Sequence, residues 1–290
     1  MRAPVRARRK TSVVAALKEL YGARELVLSL TTRDLKSQYR ATTLGHLWSL
    51  ANPLTVMAVY TVVFNYIMRV RPEPGDPSGL DTYALWLLCG LLPWIFFTGV
   101  VTGGIGALLG GGPLIQKVSF CRSALVVSNS LALVVTWCIE MTVLLVAVTI
   151  AGADALLYLP MIAVFMALLW LFATGLALMF SVANVYFRDT QHFVTVLLQV
   201  WFFLTPLLYP LSMVVHQSKA TGHFLGFLTV YRLYMLNPMS QYTIAFRNLI
   251  YDNRMPPVSC ILLCVAWSLV ISVAGLWVFK RSERGLAEAL

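Results

Sequence analysis

Among the charged residue types Asp, Glu, Lys and Arg, one side chain lies inside the long apolar stretches of this 290-residue chain, and it is Glu140. Asn129 and Thr136 precede it at spacings that put all three polar groups on one side of a helix. An acid at such a position indicates either a functional group, such as a lining residue or a proton relay, or a hydrogen-bonded contact between helices. A relay would need further acids or histidines in the apolar stretches, which contain none. The sequence therefore favours the contact between helices.

Nucleotide chemistry has no support in the sequence. The phosphate-binding pattern G-x-x-x-x-G-K-[ST] occurs nowhere, and the glycines at 110–112 lack the Lys-Ser/Thr that would follow them. The HExxH and Gly-x-Ser-x-Gly patterns do not occur either. We therefore expect no enzyme activity and no cofactor in this chain. If ATP drives the protein, a partner subunit must carry the ATP and its Mg²⁺.

The elements that position these residues are six apolar runs. Each run has at least the roughly 20 residues that a helix needs to cross about 30 Å of hydrocarbon. Backbone groups in lipid must bond within their own segment, which a helix achieves. The sequence, 59% hydrophobic and 12% charged, thus predicts an all-α integral membrane protein with six transmembrane helices. The runs cover residues 47–68, 83–109, 124–151, 156–185, 193–215 and 258–279.

The basic residues predict the orientation. The net charge is +10, and ten of the 22 Lys and Arg residues precede the first run. Because cytoplasmic segments carry the excess of Lys and Arg, we expect both termini in the cytoplasm and a multi-pass protein of the cytoplasmic membrane. The basic N-terminus is expected to meet anionic lipid headgroups rather than nucleic acid.

The segments between and before the runs divide the chain further. Residues 1–12 are predicted to be disordered. Residues 13–42 are predicted to form a cytoplasmic amphipathic helix at the interface, with Leu28 and Leu35 on its apolar side. Residues 43–282 form the six-span domain, and 283–290 a cytoplasmic tail. Between the fifth and sixth runs, short apolar patches predict short helices that re-enter the outer leaflet, where covering protein would tolerate such backbone.

Aromatic side chains concentrate in the expected outer halves of the first and fifth runs. An interfacial belt is the ordinary explanation for such rings. Rings that line a path could instead stack on sugar faces, because aromatic side chains are amphipathic. Composition favours the belt, and the channel remains the alternative. The candidate rings are Tyr60, Phe64, Trp201, Phe202 and Phe203.

Several motifs resemble the membrane domain of ABC-type polysaccharide exporters, the Wzm and TarG class. The run TLGHLWSLANPLTVMAVYTVVF at 43–64 is similar to the start of that domain. GLLPW, LIQKVSFCR, YFRD, TPLLYP and LNPM with a following FR match it in the same order, as does the C-terminal FKRSERGLAEAL. The resemblance covers about residues 20–290. Cys121 is a departure, because the class usually has proline there.

This resemblance implies a homodimer with the translocation path between its copies, joined by two ABC ATPase subunits. The implied cargo is a polysaccharide on a polyprenyl diphosphate lipid. Galactan exporters look most similar, with O-antigen and teichoic acid exporters as alternatives. A coupling helix between the second and third spans would seat in the ATPase, the YFRD turn would make a second contact, and the N-terminal helix would act as a gate near the lipid headgroup. By similarity, the coupling residues are Leu114, Lys117, Phe120, Arg122, Arg188 and Asp189, and the headgroup residues are Arg33, Lys36 and Arg40.

Other functions fit the residues less well. A permease for drugs or small lipids would share this architecture. A flippase of lipid-linked oligosaccharides without ATP, or a membrane-embedded enzyme, is a more distant alternative. An enzyme would show paired acids or histidines near a membrane face, which this chain does not. The turn at Arg188 and Asp189 could also be an ordinary solvated turn.

Overall fold

A computed structural model of the chain describes residues 13–38, 48–70, 73–111, 120–215, 230–283 and 285–286. Within these ranges the regular structure is entirely helical. Two helices continue into π-helical turns, α3 at Thr61–Ile67 and α9 at Arg247–Tyr251. The helices are α1 (Val13–Gly22), α2 (Arg24–Gln38), α3 (Trp48–Tyr60), α4 (Tyr83–Gly110), α5 (Ser123–Ile150), α6 (Leu159–Tyr186), α7 (Thr190–Phe203), α8 (Val230–Leu236), α9 (Pro238–Phe246) and α10 (Val258–Ser282).

Five helical stretches in the described part of the chain are long and apolar enough to cross a membrane. Their lengths run from 20 to 32 residues, which agrees with the apolar runs that predicted them. The protein is therefore a multi-pass membrane protein. The five stretches are Trp48–Ile67, Tyr83–Gly110, Ser123–Ile150, Ala155–Tyr186 and Val258–Ser282.

The fifth apolar run, residues 193–215, does not form one continuous helix, so the prediction of six uninterrupted spans was wrong there. α7 ends at Phe203 after 14 residues, a rise of only about 21 Å. Residues 204–209 form turns and bends, and a helix resumes at 211–215. Pro206 and Pro210 lie in or at the end of this interruption and cannot donate backbone hydrogen bonds.

α4 is the central helix of the bundle. In the most apolar part of α4, 72% of the residues are buried, whereas in the corresponding part of Trp48–Ile67 only 6% are buried. Leu87, Phe97 and Val100 have no exposed surface because α4 packs against α5, α6 and α9. The helix remains continuous through Pro93. Side chains on α4 are therefore fixed by several neighbouring helices, whereas α3 lies at the periphery of the bundle.

α6 and α10 cross at two glycines. A Cβ atom added at Gly275 would collide with the Gly175 carbonyl oxygen, and one added at Gly175 would lie 2.6 Å from the Ile271 oxygen. Ser268 Oγ donates to the Leu168 carbonyl oxygen across the same interface at 3.0 Å. Small residues at a crossing let two backbones approach closely, and this pair depends on them.

The N-terminal region forms two helices, α1 and α2, instead of one helix over 13–42. Leu28, on the expected apolar side of α2, is 62% exposed and does not pack against the bundle, and the lipid contact expected of that side stays a prediction. Val27, Leu30 and Thr31 are buried instead, and the Thr31 Oγ1 atom lies 3.4 Å from the Ser128 carbonyl oxygen of α5. These residues are three and four apart, so they share the helix side that faces α5.

The bundle has two ends. The basal end carries α1, Arg122 and the last turn of α10. The distal end carries the loop around Ser78 and the π-turn of α9, which are joined by hydrogen bonds. The Tyr251 hydroxyl donates to the Leu80 carbonyl oxygen at 2.7 Å, and the Ser78 hydroxyl donates to the Tyr251 carbonyl oxygen at 2.5 Å.

Candidate functional site

One of the three predicted headgroup residues, Arg33, lines a cavity near the basal end. Arg33 and Lys36 are exposed on α2, and Arg40 lies outside the described residues. The Arg33 side chain, 57% exposed, donates to Asp34 Oδ1 at 2.8 Å. Arg33, Asp34 and Ser37 form one wall of a cavity of about 480 Å³ between α2, α4 and α5, which we call the basal cavity. The opposite wall includes Thr102, Gly103 and Asn129.

Glu140 faces a second cavity, of about 360 Å³, between α3, α4 and α5. We call it the Glu140 cavity. Glu140 itself is only 6% exposed, and Thr136, one turn away, lines the same space. Ser49 and Asn52 of α3 add a hydroxyl and an amide to the lining. The predicted polar stripe is thus distributed over two cavities, with Asn129 in the basal cavity.

Four of the five predicted channel rings belong to one packed cluster between α3, α4 and α7, which we call the aromatic cluster. Tyr60 lies 6.1 Å from both Phe64 and Phe202, centroid to centroid. Trp94 of α4 links the two α7 rings, at 5.6 Å from Phe202 and 6.5 Å from Trp201. Trp94 was not among the predicted rings, although it is the last residue of the GLLPW motif.

The fifth ring, Phe203, lies at the margin of the aromatic cluster. Its side chain is 63% exposed, and its centroid is 5.2 Å from that of Phe202 in an edge-on arrangement. The other rings are half-buried and contact each other, so most of their stacking surface is already covered. Phe203 has the ring surface that a lipid, a ligand or a second protein could cover.

Asn237 fixes the end of α7. Its Oδ1 atom accepts from the Trp201 indole at 2.8 Å and from the backbone N–H of Met239 at 3.0 Å, the second bond capping α9. Its Nδ2 atom donates to the Leu204 carbonyl oxygen at 3.0 Å. One side chain therefore joins the aromatic cluster, the interrupted helix and the start of α9.

Arg247 is the residue that sequence analysis missed most clearly. It is buried, and its two Nη atoms donate to the Pro206 and Leu207 carbonyl oxygens at 2.7 Å each. These carbonyls belong to the interruption after α7, where helical partners are lost. The sequence signal was a lone arginine at the end of an apolar helix, in the FR motif already noted. Its partners lie 40 residues away and could not be inferred.

The basal end contains a junction of charged groups. Lys280 donates to Glu19 of α1 and to Glu283, the latter at 2.6 Å. Arg122 donates to the Glu283 carbonyl oxygen. This junction connects α1, the end of α10 and the residue before α5. Burial also raises the pKa of the neighbouring Cys121 thiol, whose sulfur lies 3.1 Å from Ser123 Oγ.

Among the residues predicted to contact a cytoplasmic partner, those that the structure describes lie at or near the basal end. Leu114 and Lys117 lie outside the described residues, and Phe120 and Arg122 stand at the border of that gap. Arg188 and Asp189 are both exposed in the turn between α6 and α7. Within the described residues no ion pair joins these two side chains to each other.

Comparison with known proteins identifies the family. The family model described as ABC-2 type transporter matches residues 25–251. The chain belongs to the ABC-2 type transporter family. It is 30% identical over 278 residues to the O-antigen export system permease protein RfbA of Myxococcus xanthus, covering 96% of this chain and 100% of that protein.

More distant relatives share the same kind of description. A protein of the same printed name from Klebsiella pneumoniae is 26% identical over 270 residues, covering 92% of this chain and 95% of its own length. The polysialic acid transport protein KpsM of Escherichia coli is 23% identical over 194 residues, 66% of this chain and 72% of its own. The family expected from the motifs is confirmed. The relatives named as permeases also support a transport subunit rather than an enzyme.

Proposed function

We propose that the chain is the membrane subunit of an ATP-driven exporter that moves a polyprenyl-diphosphate-linked polysaccharide across the cytoplasmic membrane. The observation that carries this proposal is the full-length similarity to two proteins named O-antigen export permeases. The similarity includes both the first helices and the last span, so it extends over the whole architecture and not one motif. The cargo is of the O-antigen, galactan or teichoic acid type.

The lining chemistry supports a cargo whose glycan part is neutral and polar. The five described spans contain one acid, Glu140, and no basic residue except Lys280 and Arg281 at the end of α10. A glycan needs hydrogen-bonding groups and ring faces rather than buried charges. The polar lining of the two cavities supplies the first, and the exposed ring of Phe203 at the margin of the aromatic cluster supplies the second. Transport coupled to an ion gradient would ordinarily require more charged groups within the spans.

We infer that two copies pair through α3 and α7. Both helices carry exposed apolar side chains along their length, and a second copy would cover them. Only 6% of the residues in the most apolar part of Trp48–Ile67 are buried, far below the 72% in α4. Tyr60, Phe64, Phe202 and Phe203 would then border a path between the copies. The exposed valines include Val59 at 54%, Val62 at 52%, Val196 at 60% and Val200 at 53%.

The ATP and Mg²⁺ belong to two partner ATPase subunits at the basal end. Leu114, Lys117, Phe120 and Arg122 form the proposed coupling contact, and Arg188 and Asp189 form the second. Phe187 supports the second contact, because its ring is 73% exposed beside this charged pair. An exposed aromatic ring within a charged turn is typical of protein interfaces.

In the membrane, the basal end is proposed to face the cytoplasm with both termini. α7 together with residues 204–215 would make the sixth crossing, because its 14 helical residues are too few alone. α8 and α9 would re-enter from the distal side. The irregular backbone after α7 is tolerated because Asn237 and Arg247, at the two ends of α9, bond its free carbonyls. Arg33, Lys36 and Arg40 would meet the diphosphate headgroup at the cytoplasmic surface.

The decisive experiment is transport by the reconstituted complex. The chain and its partner ATPase are purified together, placed in proteoliposomes with radiolabelled lipid-linked glycan, and the glycan reaching the opposite leaflet is measured. We expect ATP-dependent movement with both subunits and none with either alone. Movement of drugs or short-chain lipids without the glycan would instead assign the chain to another branch of the family. ATP hydrolysis by the isolated chain would contradict the subunit assignment.

A further inference from the structure

Glu140 is the one charged side chain among the described residues that line the Glu140 cavity. It is only 6% exposed, and within the described part of the chain its carboxyl group has no hydrogen bond or ion pair. It lies 10 residues before Ile150, the end of α5, or about 15 Å along the helix. A buried carboxyl group without a partner is costly in such apolar surroundings. A molecule that fills the cavity and bonds to this group would therefore be stabilised there.

Aromatic rings form much of the wall around this carboxyl group. Trp137 is buried and stacks on Phe96, with the ring centroids 4.0 Å apart. Trp48 of α3 lines the same cavity and is 52% exposed. A cation is attracted to the face of an aromatic ring, and most strongly to that of tryptophan. The rings and the carboxylate thus favour the same kind of ligand, one that carries a positive charge.

The polar atoms of the lining match one ammonium group. Glu140 offers two carboxylate oxygens and Asn52 one amide oxygen, and a primary ammonium group has three N–H donors. The Thr136 hydroxyl already donates to the Ala132 carbonyl oxygen at 3.5 Å. A whole sugar residue placed here would leave further hydroxyls against rings and aliphatic side chains. A single ammonium group is therefore the better fit for the inner part of the cavity.

The position of α3 gives such a ligand access from the hydrocarbon. Trp48 and Asn52 are exposed and also line the cavity, so it opens beside the first turns of α3. Ile95 and Leu133 add apolar wall, along which an alkyl or aryl body would lie. A phospholipid headgroup fits less well, because its phosphate would find no cation among the described lining residues. The cavity thus suits an amine with one positive charge and an apolar body.

We propose that the Glu140 cavity is a binding site for a lipophilic amine, whose ammonium group bonds to Glu140 and Asn52 while its body lies against Trp48. The binding itself is independent of what the chain transports. Its consequence rests on the proposed function: the bound amine occupies hydrogen-bonding groups that a glycan would use, and it separates the start of α3 from α5. A lipophilic amine should therefore slow export.

The first test compares three photoreactive probes on the complex with its partner ATPase, in nanodiscs without aminolipid. The probes are a diazirine-bearing dodecylamine, the matching dodecanol and a diazirine-bearing phosphatidylethanolamine. We expect saturable labelling of α3 and α5 by the amine, and at least about tenfold weaker labelling by the alcohol, as expected when a hydrogen bond to a charged group is lost. Equal labelling by amine and alcohol would overturn the proposal. Stronger labelling by the phospholipid would replace it with a lipid headgroup site.

The second test changes the site and keeps the probe. Glu140→Gln removes the charge at nearly constant volume and should weaken labelling by the amine about tenfold, whereas Glu140→Asp should retain most of it. Trp48→Ala should weaken labelling several-fold through loss of the ring face. Trp277→Ala is the matched control, because that indole is 46% exposed on α10, away from the cavity. Unchanged labelling in Glu140→Gln would mean that the carboxyl group does not hold the amine.

If Glu140→Gln does not assemble, the comparison of amine and alcohol on the parent complex still decides the proposal. The last test measures ATP-dependent glycan export with added dodecylamine, relative to the export of the same protein without it. We expect inhibition of the parent complex, little effect of dodecanol, and about tenfold weaker inhibition of Glu140→Gln. Labelling without inhibition would refute the effect on export and support the site. Absence of export by the untreated parent complex would reject the proposed function and leave the labelling result standing.

Discussion

Arg247 lies flat against Trp86, with the central carbon of its guanidinium 3.5 Å from the centre of the indole ring. The ring covers one side of the cation while the two Nη atoms hold the carbonyls of the interruption after α7. Gly90 leaves the room for this arrangement, because a Cβ there would lie 3.3 Å from Arg247 Nη2. A cation–π contact of this kind gains strength when water is excluded.

The first prediction concerns this arginine. In Arg247→Gln, the Pro206 and Leu207 carbonyls should lose their partners, at about 1–3 kcal/mol for each unsatisfied group. We expect a lower unfolding temperature in detergent, measured by size-exclusion chromatography after heating. Arg254→Gln is the control, because Arg254 forms an ion pair with Asp252 at 3.1 Å and its side chain is 51% exposed. Equal stability of the two variants would contradict the assigned role.

The second prediction concerns the crossing of α6 and α10. Gly275→Ala should destabilise the protein, because the new methyl group would meet the backbone of Gly175, which cannot change rotamer to avoid it. Gly106→Ala should be neutral or stabilising by about 0.5–1 kcal/mol, because alanine is the better helix former and has free space there. The same heating assay compares them. If the Gly275→Ala protein is as stable as the parent, α6 and α10 can move apart without a loss of stability, and the prediction is wrong.

The third prediction concerns the basal junction. Lys280→Glu should release α1 from α10 and place three acids together, reducing transport more than the amount of assembled complex. Adding Glu19→Lys should partly restore transport, because the pair is then reversed rather than removed. The measurement is ATP-dependent export normalised to complex, together with the ATPase rate. If the second substitution does not restore transport, the loss in Lys280→Glu does not come from breaking the Glu19–Lys280 ion pair.

A fourth prediction tests the orientation. Asp76→Cys should react with a membrane-impermeant maleimide on intact spheroplasts, whereas Arg188→Cys should react only after the membrane is opened. Both positions are exposed, at opposite ends of the bundle. Background from Cys121 should be low, because burial raises the pKa of its thiol and leaves little reactive thiolate. If the residue at position 76 reacts only from the cytoplasmic side, the protein has the opposite orientation in the membrane.

The fifth prediction separates packing from transport in the aromatic cluster. Trp201→Ala should reduce assembly, because it removes the bond to Asn237 and the contact with Phe97 at 5.3 Å. Phe203→Ala should leave assembly unchanged, since that ring is largely exposed. If Phe203 borders the path, normalised export should fall several-fold, in line with the about 0.5–1.5 kcal/mol of one stacking contact. Unchanged export would indicate that the Phe203 ring contacts lipid and not the cargo.

Apolar length predicted most of the fold but could not predict the interruption after Phe203. Proline alone does not explain it, because Pro93 lies within α4 without breaking the helix. The difference is that the carbonyls released at 204–208 find partners elsewhere. Tyr83 donates to the Leu208 oxygen at 2.9 Å, and Arg247 and Asn237 hold the others. Such bonds link residues far apart in sequence, so no local pattern records them.

The sequence indicated which residues to consider for the candidate sites, but not which surfaces and cavities those residues form together. Four of the rings named in α3 and α7 lie in the aromatic cluster, and their role in a channel stays a prediction. The side of α2 that packs on α5 could not be predicted, since Val27 and Leu28 are both apolar and only the position of α5 decides between them. For the same reason, the polar stripe was visible in sequence, whereas the cavities that it lines depend on α3 and α4.

The central position of α4 also has a consequence for biogenesis. Except for α3, which precedes it, the neighbours that bury α4 are α5, α6, α7 and α9, and all four are synthesised after it. At typical rates of chain growth, the residues from Gly110 to Phe246 emerge on the order of ten seconds later. During that interval the surface around Gly90, which finally contacts Thr243 and Arg247, has only lipid or the insertion machinery beside it. The last third of the chain therefore completes a helix that was inserted near the beginning.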